Sequence, residues 1–182
     1  MNEIDNYIES IQNNWEKILP ALKLKAKKAL DKKQYIINFE NQKNDKLPET
    51  PGIYLFHIKP TVIINNNNIE KIWMSNGVIK FSPNIILKRV KFEKINKWYP
   101  LYIGKTENLL KRINEHCFQD LDKTTYSMKL RHRKKLLKIS KLSFDYFEIP
   151  NTKNFKENII QFIMTNLEKE IRNEIKPWIG KQ

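Results

Sequence analysis

Gly52-Ile53-Tyr54-Leu55-Phe56-His57-Ile58 is apolar almost without interruption, and Tyr99-Pro100-Leu101-Tyr102-Ile103-Gly104 has the same character. Short runs of β-branched and aromatic residues bounded by Pro and Gly predict strands, the first of them buried on both faces. Outward from the second run the period changes. Helix is expected over 107–118 and again over 127–139, then an alternating strand over 141–149, then a long helix over 154–175 that Pro177 stops. Between the two strands lie short strand-like pieces at 61–64, 69–74, 78–81 and 85–92, with Asn76-Gly77 as a hairpin turn. These predict an insertion of β-hairpins over about 61–97. Ahead of the first strand, Ile4, Ile8, Ile11, Trp15, Ile18 and Leu19 recur at helical spacing, and Pro20 is expected to end or kink that helix. A polar connector at 41–50 containing Pro48 marks a boundary between a helical arm, 1–47, and a main domain, 48–182. The expected fold is α/β, with a small central mixed sheet flanked by helices.

Composition narrows the function classes. The chain of 182 residues holds 34 Lys and Arg against 20 Asp and Glu, a formal net charge of +14. Its 40% apolar content supports a packed core rather than a disordered basic tail. No apolar run reaches the roughly 18–20 residues of a membrane span, and the first residues lack a secretory pattern, so a cytoplasmic protein is expected. The single cysteine, Cys117, excludes a disulfide framework and a cysteine-based zinc site. Lys, Asn and Ile crowd the whole chain, a bias that an A+T-rich genome produces without regard to function. The placement of the charge therefore matters more than its total. Lys123, Lys129, Arg131, Arg133, Lys134, Lys135, Lys138 and Lys141 cluster with no acid between them, Asp120 and Asp122 lying just ahead, and Lys88, Arg89, Lys91, Lys94 and Lys97 form a second patch in the insertion. Both are expected to bind phosphate, with Lys129, Arg131, Arg133, Lys134, Lys135, Lys88 and Arg89 as the named DNA contacts.

Chemistry-bearing residues fall in a fixed order. Tyr54 closes the tripeptide Gly52-Ile53-Tyr54, and Tyr102 opens Tyr102-Ile103-Gly104, with Lys105 directly after it. Arg112 stands ten residues beyond Tyr102, and His116 one helical turn further on the same face. Glu168 lies on the last helix, nine residues before Pro177. Read singly, each has an ordinary structural role: buried tyrosines are common, and a glutamate in a charged helix is usually solvated. Together, the region from about Pro51 to Trp178 resembles the GIY-YIG nuclease family. It departs from that family's usual pattern in the 48-residue separation of Tyr102 from Tyr54 and in Gly180, which stands where an asparagine is frequent. Glu170 and Glu174 compete with Glu168, which is preferred for its distance to Pro177.

The resemblance implies a metal-dependent DNA endonuclease using Mg²⁺ or Mn²⁺. Its implied catalytic residues are Tyr54, Tyr102, Lys105, Arg112, His116 and Glu168, with Glu168 as the metal ligand. A hard cation takes carboxylate oxygen, an arginine fork suits a scissile phosphate, and a tyrosine helps deprotonate the attacking water. A compact chain of this length fits a restriction or defence enzyme on double-stranded DNA, which would dimerise or act twice to cut both strands. A structure-specific or mobile-element nuclease and a non-enzymatic nucleic-acid-binding module are the alternatives.

Overall fold

The computed structural model describes residues 3–40, 46–64, 66–75, 81–149 and 154–180. Helix α1 (Glu3–Leu30) leads into the short strand β1 (Tyr35–Ile36) and then β2 (Gly52–Pro60). Helix α2 (Asn66–Trp73) and a 3₁₀ turn (Leu87–Arg89) precede β3 (Tyr99–Thr106) and α3 (Leu109–Phe118). A second 3₁₀ turn (Leu130–His132), α4 (Lys134–Ile139), β4 (Ser140–Glu148) and α5 (Glu157–Ile175) complete the chain. The sheet order is β1-β4-β2-β3.

The α/β class holds, but the sheet is antiparallel in every pairing rather than mixed. The long excursion after β2 returns the chain in the opposite direction along the same strand, which needs no parallel crossover. β2 is the central strand, and its alternation sorts the core. Ile53 and Leu55 join Ile103, Ala26, Leu30, Met164, Leu167 and Ile171 beneath α1 and α5. Tyr54, Phe56 and Ile58 point the other way, toward Leu109, Ile113 and Cys117 of α3 and Leu136 of α4. Helices thus cover both faces, and the near-continuous apolar run of β2 follows from burial on each side. Pro100 lacks a backbone donor, and it sits in β3, the last strand of the sheet, where that donor is dispensable.

The insertion differs from expectation. Among the described residues between Thr61 and Trp98 there is no ladder strand, only α2, the 3₁₀ turn and an isolated bridge from Ile85 to Ile179. The stretch at 69–74 fits a strand by composition, yet Ile69 and Trp73 are its buried residues, four apart and on one helix face. The hairpin turn expected at Asn76-Gly77 lies outside the described residues. The helix expected over 127–139 is interrupted, because Lys129 takes a left-handed backbone conformation with φ of 51°. α1 runs through Pro20 without ending. That position is exposed, so the carbonyl freed by the missing donor can be solvated.

After α1 the chain is pinned to the sheet by one acid. Asp145 of β4 accepts hydrogen bonds from the backbone N–H of Lys33 at 2.6 Å and of Gln34 at 2.9 Å. No described helix is long and apolar enough to cross a membrane.

Candidate active site

The register of β2 against β3 builds the site. Tyr54 pairs with Gly104 and Phe56 with Tyr102, so the two tyrosines project from the same face of neighbouring strands. Their rings stand 6.2 Å apart. The Tyr54 phenol crosses directly over Gly104: a Cβ there would lie 2.6 Å from Tyr54 Cζ and closer still to the hydroxyl. A Cβ on Gly52 would meet the Phe147 carbonyl oxygen at 2.6 Å and Leu109 Cδ1 at 2.7 Å. Both glycines therefore permit close approach, one of a phenol and one of a backbone carbonyl with a helix side chain. Neither requires an unusual φ.

Helix α3 begins at the N-cap Asn108, whose side chain accepts from the Lys111 N–H. That start carries Arg112 and His116 over the β2–β3 surface, one turn apart. Arg112 is held from three directions. Its Nε donates to Tyr54 Oη at 3.4 Å, Nη1 to Glu115 at 2.7 Å and Nη2 to the Tyr126 carbonyl at 2.7 Å. Burial works against its charge, but the two phenols and Glu115 more than offset this, and the guanidinium is held above its ordinary value.

His116 is fully buried behind Tyr54. The Met128 N–H donates to His116 Nδ1 at 3.1 Å, which puts the ring proton on Nε2. Nε2 lies 2.9 Å from Tyr54 Oη and so donates to it. Burial, followed by the neighbouring Arg112, pushes the imidazole well below its usual value, so it stays neutral. Tyr54 Oη thus faces two donors. Its pKa is nonetheless raised, chiefly by burial and next by Tyr102, while Arg112 pulls it down. Tyr102 is raised by burial as well, with Arg112 lowering it and Glu168 raising it.

Glu168 arrives from α5 on the other side of the sheet. Together with Tyr54, Tyr102, Gly104, Lys105, Arg112, Tyr126 and Arg172 it lines a cavity of about 220 Å³. Arg172, one turn further along α5, donates from Nη1 to both Glu168 oxygens, at 2.9 and 3.2 Å. Glu174 is held elsewhere, by Lys27 and, at 3.4 Å, by Lys23 of α1. Of the three candidate glutamates, Glu168 is the one that faces the tyrosines. Lys105 lines the same cavity, and its Nζ donates to Gln161 Oε1 at 3.1 Å. Among the described residues no group of three or more His, Cys, Asp or Glu side chains gathers to hold a metal. Glu168 is the one carboxylate among the residues lining this cavity, and a hard cation that keeps most of its waters, as Mg²⁺ does, would share it with Arg172.

Two of the expected phosphate contacts do not reach the surface. Arg133 is completely buried, with its guanidinium carbon 3.2 Å from the Trp73 ring centroid. It donates to the carbonyls of Met128, at 2.8 Å, and Trp73, and to Ser82 Oγ. Lys129 is buried too, and its Nζ donates to the carbonyls of Leu121 at 3.1 Å and Lys123 at 2.6 Å. These side chains close their own loops, so the surface cluster loses both. Lys134, Lys135 and Lys88 are exposed, Arg89 is half-buried, and Arg131 is exposed but paired with Asp120. Sequence reading missed Arg172, Tyr126 and Glu115. Arg172 had a signal in its i+4 spacing from Glu168. Tyr126 had none, because a loop carbonyl brings it there.

Residues 92–178 match the family model described as the GIY-YIG catalytic domain. That match takes in Tyr102, Arg112, His116 and Glu168 and starts after Tyr54, which the sheet returns to the site. No curated protein and no solved structure matches the chain.

Proposed function

Because residues 92–178 match the GIY-YIG catalytic domain, we propose that the chain is a GIY-YIG nuclease, a metal-dependent endonuclease of restriction or defence type acting on double-stranded DNA in the cytoplasm. The observation that carries this reading is the convergence of Tyr54, Tyr102, Arg112 and Glu168 on one cavity, with neutral His116 behind Tyr54.

Each residue has a task. Glu168 would hold a divalent cation, Mg²⁺ or Mn²⁺, which supplies Lewis-acid stabilisation to the phosphate. Arg172 balances the Glu168 carboxylate. Tyr54 takes the proton of the attacking water at Oη. Its phenolate is stabilised by the His116 Nε2 proton and the Arg112 Nε–H, two donors fixed in place before the reaction. His116 acts as a donor here, since its Nδ1 is occupied by the Met128 N–H. Arg112 neutralises charge growing on the scissile phosphate, exchanging Glu115 or the Tyr126 carbonyl for a phosphoryl oxygen. Tyr102 orients the phosphate beside it, and Lys105 sits at the cavity rim for the departing strand. Exposed Lys134, Lys135 and Lys88 supply attraction to the backbone without choosing sequence.

Incubation with plasmid DNA and Mg²⁺ tests the reading. Cleavage by the natural chain and none by Glu168→Gln or Tyr54→Phe is expected. Discrete fragments support restriction, whereas junction-specific nicking assigns the site to a structure-specific enzyme. Tight DNA retention with no cleavage under any divalent cation would overturn the enzymatic claim.

A further inference from the structure

Arg172 holds both oxygens of Glu168 with a single nitrogen, its Nη1 lying 2.9 Å from Oε1 and 3.2 Å from Oε2. The two residues stand one turn apart on α5 with the glutamate first, the favourable order for such a pair. The Glu168 side chain is 9% exposed, whereas that of Arg172 is 30% exposed. The backbone beneath them is fixed. Leu167 and Ile171 are buried in the core, and the Lys176 N–H donates to the Arg172 carbonyl at 2.9 Å. Movement is therefore left to the arginine side chain. Gly180 lines the same cavity, and a Cβ there would meet no atom of the described residues within 4 Å, so that side has room for it.

Charge decides what this arrangement does to a cation. The ionic groups lining the cavity are Lys105, Arg112, Arg172 and Glu168, three cations facing one carboxylate. Glu115 offsets Arg112 from behind at 2.7 Å, while the Lys105 contact, Gln161, is neutral. The two phenols stay protonated, since burial raises both. With Glu115 counted, three cations still outweigh two carboxylates. A divalent ion would enter against that charge, and to take a Glu168 oxygen it must displace the Arg172 Nη1 from it. A phosphodiester removes both obstacles. Its negative charge offsets the ion, and its non-bridging oxygens offer the arginine fork a partner in place of the carboxylate.

We propose that Arg172 makes metal loading of this site depend on the substrate phosphate. It holds Glu168 in the free protein and turns to a phosphoryl oxygen when DNA arrives, which leaves the carboxylate to the cation. Arg172 is thus a positioning residue, acting on the metal through Glu168. Such coupling is reciprocal: DNA tightens the cation, and the cation tightens DNA. The inference rests on the nuclease reading for its substrate, and on the Glu168–Arg172 pair for the state without substrate.

Loss of the free aqueous Mn²⁺ signal in electron paramagnetic resonance counts bound ions without any cleavage. The full natural chain without DNA should bind Mn²⁺ no more tightly than on the order of 1 mM. Arg172→Met should tighten this about tenfold or more, and adding Glu168→Gln should remove the gain. Arg172→Lys keeps the charge and should stay near the natural value. Arg172→Gln, also neutral, repeats the test should the methionine variant not fold. The DNA half is read in a Tyr54→Phe chain, where cleavage is not expected. With plasmid present, its Mn²⁺ affinity, corrected for ions held by the plasmid alone, should rise about tenfold, and Arg172→Met should cut the rise to about twofold or less. Micromolar Mn²⁺ binding through Glu168 in the natural chain without DNA overturns the inference. So does an Arg172→Met chain that binds no tighter, a lysine variant that gains as much as the methionine one, or purely additive uptake with plasmid. Plasmid left intact under every divalent cation, with these shifts present, would sink the nuclease reading and leave the control of Glu168 by Arg172 standing; cleavage without the shifts does the reverse.

Discussion

Arg112 and Arg133 are both cations drawn out of water within one stretch of chain, and they have opposite fates. Arg112 faces groups that can become or already are negative, namely the Tyr54 and Tyr102 phenols and the Glu115 carboxylate, and its charge is reinforced. Arg133 faces only carbonyls, a hydroxyl and the Trp73 ring, and burial pushes it down to about 9. A buried arginine among neutral acceptors is a tie between loops. One among titratable oxygens at a cavity has charge to offer an incoming phosphate. Counting basic residues along the chain cannot separate the two.

The contrast can be broken most decisively at the chemistry. Arg112→Ala should slow DNA cleavage on the order of 100–1000-fold with nearly unchanged unfolding, and Lys at this position should not restore the rate, because it lacks the fork. Glu168→Gln should lose at least as much. Equal rates for wild type and Arg112→Ala would dissolve the distinction. Next in size, Arg133→Met should destabilise the fold by roughly 2–4 kcal/mol in denaturant titration, leaving the Met128 and Trp73 carbonyls without their donor. DNA affinity measured below the unfolding transition should hardly move.

A third effect is a pH response of stability. His57 is buried and its pKa is lowered to about 4, mainly by burial and then by Lys33. The unfolded chain therefore binds a proton that the folded chain refuses between about pH 6.5 and 4. Stability from this group is complete above pH 6.5 and declines by up to roughly 3 kcal/mol as pH falls to 4. His57→Gln should flatten that acid limb. Cleavage should respond on the other side of neutrality. Because burial raises Tyr54, the rate should climb with pH by up to about tenfold per unit until the phenol titrates, and Tyr54→Phe should abolish the residual pH-dependent rate. The smallest effect belongs to the surface. Lys134→Ala and Lys135→Ala should each weaken DNA binding modestly and lower the salt slope by about 1. Loss of binding from Arg133→Met equal to theirs would mean the buried arginine reaches DNA after all.

Local pattern carried much of this protein. The apolar runs around Tyr54 and Tyr102 are strands, the spacing of Arg112 and His116 is one helical turn, and the glutamate before Pro177 lies on the last helix, because each depends on neighbours a few residues away. The helical period of α1 was equally plain, whereas its passage through Pro20 was not. Other features rest on distant partners. The helix at 66–73 reads as strand until Ile69 and Trp73 find the core. Lys129 and Arg133 look like surface cations until Leu121, Lys123, Trp73 and Met128 turn carbonyls toward them. The order of residue types in the chain determined which groups are present for chemistry. The tertiary structure alone decided that Tyr54 lies over Gly104, that the Met128 N–H sets the His116 tautomer, and that Glu168 rather than Glu174 meets the tyrosines. Hydrogen bonds and close packing act over a few ångströms in space, and no spacing along the chain specifies which distant groups will come that near.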